Sequence, residues 1–211
     1  MTLLDLTRDI NSKTQVFPAY PSVAIIEWAK HDVHGFKAEV IHLATHTSTH
    51  VDAPLHFKAE GAPIDRLPLE LFTGYAVIAD VWGKYVVPRE ALERALKSAG
   101  YREGDAVFVY TGWEDVYGKS EYIAKCPGLS REAAQLLVEV KAKLVGIDSP
   151  SIDPAETGKF DVHEVLLGAG IPVIENLCNL AGIIGRRLRF YAFPLKITGA
   201  TASPVRVVVE L

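Results

Sequence analysis

Residues 46–57, HTSTHVDAPLHF, bring three of the seven histidines of the chain together with one aspartate. The threonines and the serine disfavour a helix, because their side chains lose freedom there or compete for backbone hydrogen bonds. Pro54 excludes a long helix as well. In a regular strand, His46 and His50 would lie roughly 13 Å apart. The segment therefore predicts that the preceding strand ends and that a tight curl points His46, His50 and Asp52 inward.

These inward-pointing side chains predict a metal site. A divalent ion needs donor atoms at about 2.0–2.2 Å from several directions, and two imidazoles with a carboxylate can supply them. Isolated histidines more often serve in packing, but a cluster this dense with an aspartate favours metal. His56 is either a fourth ligand or a free proton carrier, a role that suits a reference pKa near 6.5. His42 precedes the curl and is interpreted as a strand residue.

The bulk composition indicates a globular protein. The 211 residues are 49% hydrophobic and 23% charged, without a repeat or linker, so we expect one domain over residues 1–211. The net charge of −4 and the lack of a dense Lys/Arg run argue against nucleic acid and anionic membranes as partners. No secretory signal pattern or membrane-length apolar run is visible, so a cytoplasmic protein is expected.

Hydrophobic periodicity predicts an α/β or α+β domain with a mixed sheet. Residues 23–29 and 36–44 resemble the two strands of a hairpin. Further strands are predicted at 75–81, 106–110, 143–147, 187–197 and 205–211. Helices are predicted at 88–99, 130–142 and 162–167. Spacing alone leaves the topology open.

Residues 46–57 also resemble the HxGTHxDxPxHF signature of the metal-dependent "putative cyclase" family, which includes bacterial kynurenine formamidases and isatin hydrolases. Other stretches follow the order of the family: 5–7, 146–154, His163, 175–177 and 203–206. The resemblance thus covers essentially the whole chain. It implies a swivelling β/β/α-type fold and homo-oligomers, either dimers or tetramers.

The resemblance further implies two divalent ions, Zn²⁺ or Mn²⁺, in each subunit. Their ligands would be His46, His50, Asp52, His163 and Glu175. Asp52 would bridge the two ions, Glu175 would touch both, and His56 would be the catalytic proton donor and acceptor. Without the resemblance, His163 and Glu175 carry no signal of their own.

Two positions depart from the pattern of the family. Ser48 replaces the glycine of the signature, which is a mild change if the backbone there does not need a positive φ. Phe17 stands where kynurenine formamidases have a substrate-stacking tryptophan. It keeps a smaller aromatic ring at the expected substrate-binding position, so an aromatic substrate remains compatible with the sequence.

The expected activity is therefore that of an arylformamidase-like hydrolase, which cleaves the amide or formamide C–N bond of a small aromatic substrate. The reference reaction is N-formylkynurenine to kynurenine and formate, in tryptophan breakdown. Two alternatives stay open: ring-opening of a cyclic amide or lactone, as in isatin hydrolase, and a metal-binding protein without turnover. His56 argues against the last, because a purely structural metal site would not need it.

Overall fold

The computed structural model describes residues 2–211, so that only Met1 of the expected domain lies outside it. The described strands are β1 (Leu3–Asp5), β2 (Ala24–Ala29), β3 (Ala38–His42), β4 (His50–Asp52), β5 (Thr73–Asp80), β6 (Val86–Val87), β7 (Ala106–Tyr110), β8 (Gly128–Leu129), β9 (Val145–Ile147), β10 (Val173–Glu175), β11 (Arg187–Tyr191), β12 (Ala202–Pro204) and β13 (Val208–Glu210). The α-helices are α1 (His31–His34), α2 (Arg89–Ser98), α3 (Glu121–Ala124), α4 (Arg131–Glu139) and α5 (Asp161–Gly168).

A nine-stranded sheet organises the chain, in the order β1-β13-β11-β5-β7-β9-β10-β4-β12. Its central strands β5, β7, β9 and β10 run parallel, whereas the flanking strands pair antiparallel. The expected α/β class with a mixed sheet is thereby confirmed. Strands β1 and β13 from opposite ends of the chain pair at one edge.

Both faces of the central sheet are buried, as parallel strands usually are. On one face, Val77 and Val107 pack in a cluster that includes apolar residues of α2, α4 and α5. Their neighbours Ala76 and Phe108 point into a second cluster on the opposite face, which includes Phe190 of β11. This two-sided burial holds the carboxyl ends of the parallel strands in place, and the site is built beside them.

The three predicted helices, α2, α4 and α5, begin within one residue of their expected starts, whereas the short helices α1 and α3 were not predicted. Pro88 immediately precedes α2, and the hydroxyl of Ser130 caps α4 by accepting a hydrogen bond from the backbone N–H of Ala133 at 3.2 Å. With ten residues, α2 is the longest described helix, and none in residues 2–211 combines the length and apolarity that a membrane span needs.

Strands β2 and β3 form a separate two-stranded sheet, which confirms the predicted hairpin. Their connection is the short helix α1, which ends at Gly35 with φ 76°. Most side chains along both strands are exposed, so this hairpin projects from the main sheet.

Several expected boundaries are wrong: the strand expected at 205–211 is β13, over Val208–Glu210 only, and the helix expected at 130–142 ends at Glu139. Two larger departures concern the segments around residues 46–57 and 187–197. The segment that contains His50 and Asp52 is strand β4 inside the large sheet, and only the residues before it form the curl. The strand expected at 187–197 ends at Tyr191, and residues 192–197 contribute only an isolated bridge between Pro194 and Val205 before the chain rejoins the sheet at β12. Pro194 lacks the N–H that a continuous ladder needs.

Candidate metal centre

Strand β4 places His50 and Asp52 on one face, because side chains alternate along a strand. Val51, between them, is fully buried in the opposite core cluster. Glu175 lies directly opposite His50 in the antiparallel pairing of β10 with β4. The register of two short strands therefore brings residues far apart in the sequence together, with 3.6 Å between His50 Nε2 and Glu175 Oε2.

The bend before β4 supplies His46. Its Nδ1 lies 2.8 Å from Asp52 Oδ1, and its Nε2 is hydrogen-bonded to the hydroxyl of Thr201 at 3.0 Å. Ser48, inside the bend, has φ 59°, so the backbone does need the left-handed conformation that the glycine of the signature would favour. A non-glycine residue there costs about 1–2 kcal/mol. The hydroxyl of Ser48 offsets part of this cost by donating to the carbonyl of Arg8 at 3.1 Å.

Helix α5 supplies His163 in its first turn. His163 Nε2 lies 3.3 Å from Asp52 Oδ2 and 3.1 Å from Glu175 Oε1. The five side chains thus form two donor groups that share Asp52: His46, His50 and Asp52 in one, and Asp52, His163 and Glu175 in the other. Within each group the donor atoms lie within 4.8 Å of one another.

In His50 and His163, the ring nitrogen that points away from the carboxylates, Nδ1, already has a hydrogen-bond partner. His50 Nδ1 lies 2.9 Å from the carbonyl oxygen of Ser48, and His163 Nδ1 lies 2.5 Å from Asp153 Oδ2. An acceptor at Nδ1 keeps a proton there, which leaves the lone pair of a neutral ring on Nε2. In both residues Nε2 faces the carboxylates, which is the orientation that a metal ligand requires.

One buried atom lacks a partner and supports this interpretation. Asp52 Oδ1 has no hydrogen bond within the described residues, although His46 Nδ1 and His50 Nε2 lie 2.8 and 3.2 Å away. An unsatisfied buried polar group costs about 1–3 kcal/mol, and more when it is charged. Convergent nitrogen and carboxylate donors around such an oxygen fit a divalent cation.

The electrostatics of the metal-free cluster depend on its carboxylates. Burial lowers the pKa of His50, but the adjacent Asp52 and Glu175 outweigh burial and raise that pKa to about 9. Burial likewise opposes the charged form of His163, and its hydrogen bonds to Asp153, Asp52 and Glu175 raise its pKa well above the usual range. Because a metal ion must displace these protons, metal binding weakens as the pH falls.

Asp153 was not identified from the sequence as a site residue, although it lies in a stretch that resembles the family. Its Oδ1 accepts the N–H of Val162 at 2.7 Å, and its Oδ2 accepts the N–H of His163 at 3.2 Å in addition to the ring Nδ1. One carboxylate therefore caps α5 and orients the imidazole that α5 carries. Because Asp153 lies well before α5 in the chain, no local sequence pattern marks it as the cap of that helix.

Asp153→Asn is expected to weaken metal binding about 10–100-fold, the usual effect of losing the partner of a metal-binding histidine. The amide keeps one oxygen for the helix but can no longer accept the His163 proton as a carboxylate does. The dissociation constant is measured by competition with a chelator. Asp161→Asn, in the same first turn of α5 and partly exposed, is the control. Unchanged metal affinity in Asp153→Asn would show that the aspartate is only a cap.

His56 lies beside the cluster but outside both donor groups. It ends a short 3-10 helix that begins at Pro54, and its ring centroid is 4.1 Å from that of His46 and 6.0 Å from that of His163. Burial lowers the pKa of His56 to about 4, so the ring is neutral near pH 7. The structure therefore leaves this histidine next to the donors with its ring facing a cavity. His42, as expected, is a strand residue, at the end of β3.

That cavity has a volume of about 150 Å³ and is lined by the donor residues, His56 and several aromatic rings. It is called the catalytic cavity from here on. Phe17 lies in its wall, where the resemblance placed it. Tyr20 stacks parallel to His46 with 5.4 Å between ring centroids, and Phe57 stacks on His163 at 4.8 Å. The cavity therefore offers an apolar, aromatic slot next to a polar cluster of histidines and carboxylates.

Comparison with known proteins agrees with this geometry. The model of the family described as "Putative cyclase" matches residues 4–154. A kynurenine formamidase of Salinibacter ruber is 32% identical over 217 residues, which cover 100% of this chain and 98% of the relative. Isatin hydrolase A of Labrenzia aggregata, solved with benzyl benzoate, superposes with a TM-score of 0.89 at 25% identity and covers 99% of this chain and 93% of its own. A predicted metal-dependent hydrolase of Bacillus stearothermophilus gives 0.79 at 27% identity, with 99% and 97% covered.

Proposed function

Because the chain belongs to the "Putative cyclase" family, we propose that it is a metal-dependent hydrolase that cleaves the C–N bond of a small aromatic amide or formamide. The observation that carries the proposal is the pair of buried donor groups that share Asp52, with His56 left beside them at an aromatic cavity. We further propose that the whole chain acts as one domain and works in the cytoplasm.

Two divalent ions, Zn²⁺ or Mn²⁺, are assigned to this site. The proposed ligands are His46, His50, Asp52, His163 and Glu175. Nitrogen and carboxylate donors accept both metals, and availability often decides between them. Such ions supply a Lewis acid and a source of hydroxide near neutral pH. The buried carboxylates of Asp52 and Glu175 would offset part of the added positive charge, and Asp153 and the carbonyl of Ser48 hold two of the imidazoles in the required orientation.

Residues of the cavity would transfer the protons and bind the aromatic ring of the substrate. His56, neutral near pH 7, takes the proton that water releases as its oxygen attacks the carbonyl carbon. The same imidazole then gives that proton to the departing nitrogen as the C–N bond breaks, which yields an amine and a carboxylic acid. The acid releases its remaining proton to solvent and leaves as the carboxylate. Phe17 and Tyr20 line the aromatic slot that holds the ring of the substrate beside these groups.

The proposal is tested with four substrates on metal-loaded protein: N-formyl-L-kynurenine, formanilide, isatin and dihydrocoumarin. We expect kcat/KM of about 10⁴ M⁻¹s⁻¹ or more for at least one of the two formamides. The likeness to isatin hydrolase A supports ring-opening as the second candidate, and a clear preference for isatin would establish it instead. A protein that takes up metal but hydrolyses none of the four would contradict the proposal.

We also propose that a second copy of the chain covers the projecting hairpin, in a homodimer or a larger homo-oligomer. Between β2 and β3 the hairpin exposes seven large apolar side chains: Ile25, Ile26, Trp28, Val33, Phe36, Val40 and Ile41. A two-stranded hairpin is marginally stable in water on its own, and exposed apolar surface of this extent is typical of interfaces. A copy of the same chain is the partner that is always present.

The double substitution Ile26→Glu and Trp28→Glu is expected to produce monomers of about 23.1 kDa, whereas the wild type has a multiple of that mass. Two buried carboxylates at an interface would lack partners, which costs several kcal/mol. Light scattering coupled to size-exclusion chromatography measures the mass. Trp82→Glu is the matched control, because Trp82 is similarly exposed, at 68% against 72% for Trp28, but lies outside the hairpin. A wild type that is monomeric at all concentrations would contradict the proposal.

A further inference from the structure

A second cavity, called the annex here, adjoins the catalytic cavity. It has a volume of about 270 Å³. Four residues line both cavities and so form the wall between them: Phe17, Ile123, Ser151 and Phe160. Phe17 and Phe160 are 41% and 45% exposed, so each of these rings has apolar surface that no other side chain covers.

The catalytic cavity is small for a complete substrate. An apolar protein cavity of about 150 Å³ holds a molecule the size of benzene, and this one must also hold the scissile group next to the donor residues. Pockets for small-molecule ligands usually measure about 300–1,000 Å³. The catalytic cavity alone falls below that range, whereas the catalytic cavity and the annex together reach it.

The lining of the annex favours an apolar occupant. Ala124, Pro154 and Ala155 contribute small or apolar walls. The thiol of Cys126 stays neutral, because burial raises its pKa to about 11. Asp153 reaches the annex, but both of its oxygens are already engaged with the first turn of α5. Lys159 also lines the annex, but it is exposed, so its ammonium group can stay in solvent. The polar groups of Cys126 and Asp153 therefore leave the buried part of this lining suited to an apolar occupant.

We propose that the annex is a substrate subsite. The aryl ring of an N-aryl amide occupies the catalytic cavity, and an apolar substituent of that ring extends past Phe17 and Phe160 into the annex. These two rings thereby determine which substrates are accepted. Phe160 is well placed for this role because it immediately precedes α5 and its ring contacts Phe57, with 5.5 Å between centroids. The inference rests on the proposed hydrolase function, since it assigns the distal part of the same substrate.

The test compares formanilide with its ortho-, meta- and para-butyl derivatives on the metal-loaded wild type. For the isomer whose chain reaches the annex, each buried methylene is expected to raise kcat/KM about fourfold. The best butyl isomer should therefore exceed formanilide at least tenfold. Equal kcat/KM for formanilide and all three isomers would overturn the proposal.

Two substitutions reduce the volume of the annex by placing a larger side chain in its lining. Ala124→Trp and Ala155→Leu alter residues that line the annex but not the catalytic cavity. Each is expected to reduce the ratio of kcat/KM between the best butyl isomer and formanilide to below about threefold. Ala181→Trp, an exposed residue that lines neither cavity, is the control and should keep the wild-type ratio. A full wild-type preference in both filled variants would contradict the assignment.

Failure of the hydrolase function is separated from failure of the subsite by equilibrium binding. Calorimetry measures the affinity of the metal-loaded protein for aniline and for the three butylanilines, the amine products, without any turnover. The subsite predicts at least tenfold tighter binding of one butylaniline, and loss of that difference in Ala124→Trp. Absence of turnover with this pattern intact would contradict only the proposed function. Equal affinities for all four amines would contradict the subsite.

Discussion

Asp52→Asn is expected to leave a folded protein that binds neither ion and has no measurable turnover. Asp52 is the one side chain that belongs to both donor groups. Its Oδ1 faces His46 and His50, and its Oδ2 faces His163, all within 3.3 Å. An asparagine has nearly the same shape, so the packing around the site is retained while the negative charge is lost.

The effect is large because the substitution removes the negative charge of the one side chain that belongs to both donor groups. The amide nitrogen of asparagine can only donate, so on one side of the residue an N–H replaces a lone pair that faces an imidazole. Metal ions of this kind contribute several kcal/mol of transition-state stabilisation. At 1.36 kcal/mol per tenfold change in rate, we expect kcat/KM to fall about 10⁴-fold or more.

The measurement pairs metal analysis by mass spectrometry with the formamide assay and circular dichroism. Asp115→Asn is the control, because Asp115 is exposed and lies outside both donor groups. It should retain wild-type metal content and rate. An Asp52→Asn protein that holds two ions per chain, or that keeps more than about a tenth of the rate, would contradict the assignment of Asp52 as the shared ligand.

His56→Ala is expected to behave differently: the protein keeps its metal and loses turnover. His56 is outside both donor groups, yet its ring centroid lies 4.1 Å from that of His46. Removing a positioned proton carrier typically costs about 10²–10⁴-fold in rate. The loss should appear in kcat, with KM changed little, because the proposed contact matters as the bond breaks rather than as the substrate binds.

Three readouts distinguish proton transfer from a structural role. Metal content should match the wild type, added imidazole should restore part of kcat, and His31→Gln, a histidine on α1 away from the cavity, should have no effect. Near-normal kcat in His56→Ala would rule out the proton-transfer role. Loss of metal in the same variant would instead make His56 a ligand.

The sequence predicts the fold best where burial is continuous. Strand β7 has the predicted bounds, because five consecutive apolar residues, 106–110, are all buried. Helix α4 is found from its serine cap and its apolar stripe. Strand β4 was missed as a strand, because His50 and Asp52 are polar and a polar three-residue strand has no periodic signal. Its strand geometry depends on pairing with both β10 and β12, which is a property of the whole sheet.

Dependence on the whole sheet also limits how much of the site can be predicted from the sequence. His46, His50 and Asp52 are close in the sequence and could be recognised as a group from chemistry alone. His163 and Glu175 required the family resemblance, because the pairing of Glu175 with His50 arises from strand register. Asp153 and the carbonyl of Ser48 are not predicted, since Asp153 lies well before α5 in the chain and a backbone oxygen has no sequence signature. The roles of these residues stay predictions until variants are measured.

The most direct test of the central claim is a single titration in which metal uptake and turnover are followed together. Metal-stripped protein is titrated with Mn²⁺ or Zn²⁺, and formamide hydrolysis is measured at each step against the number of ions bound. The account predicts no activity in the stripped protein and a rise that levels off at two ions per chain. Full activity without metal, or a stripped protein that takes up no metal at all, would contradict it.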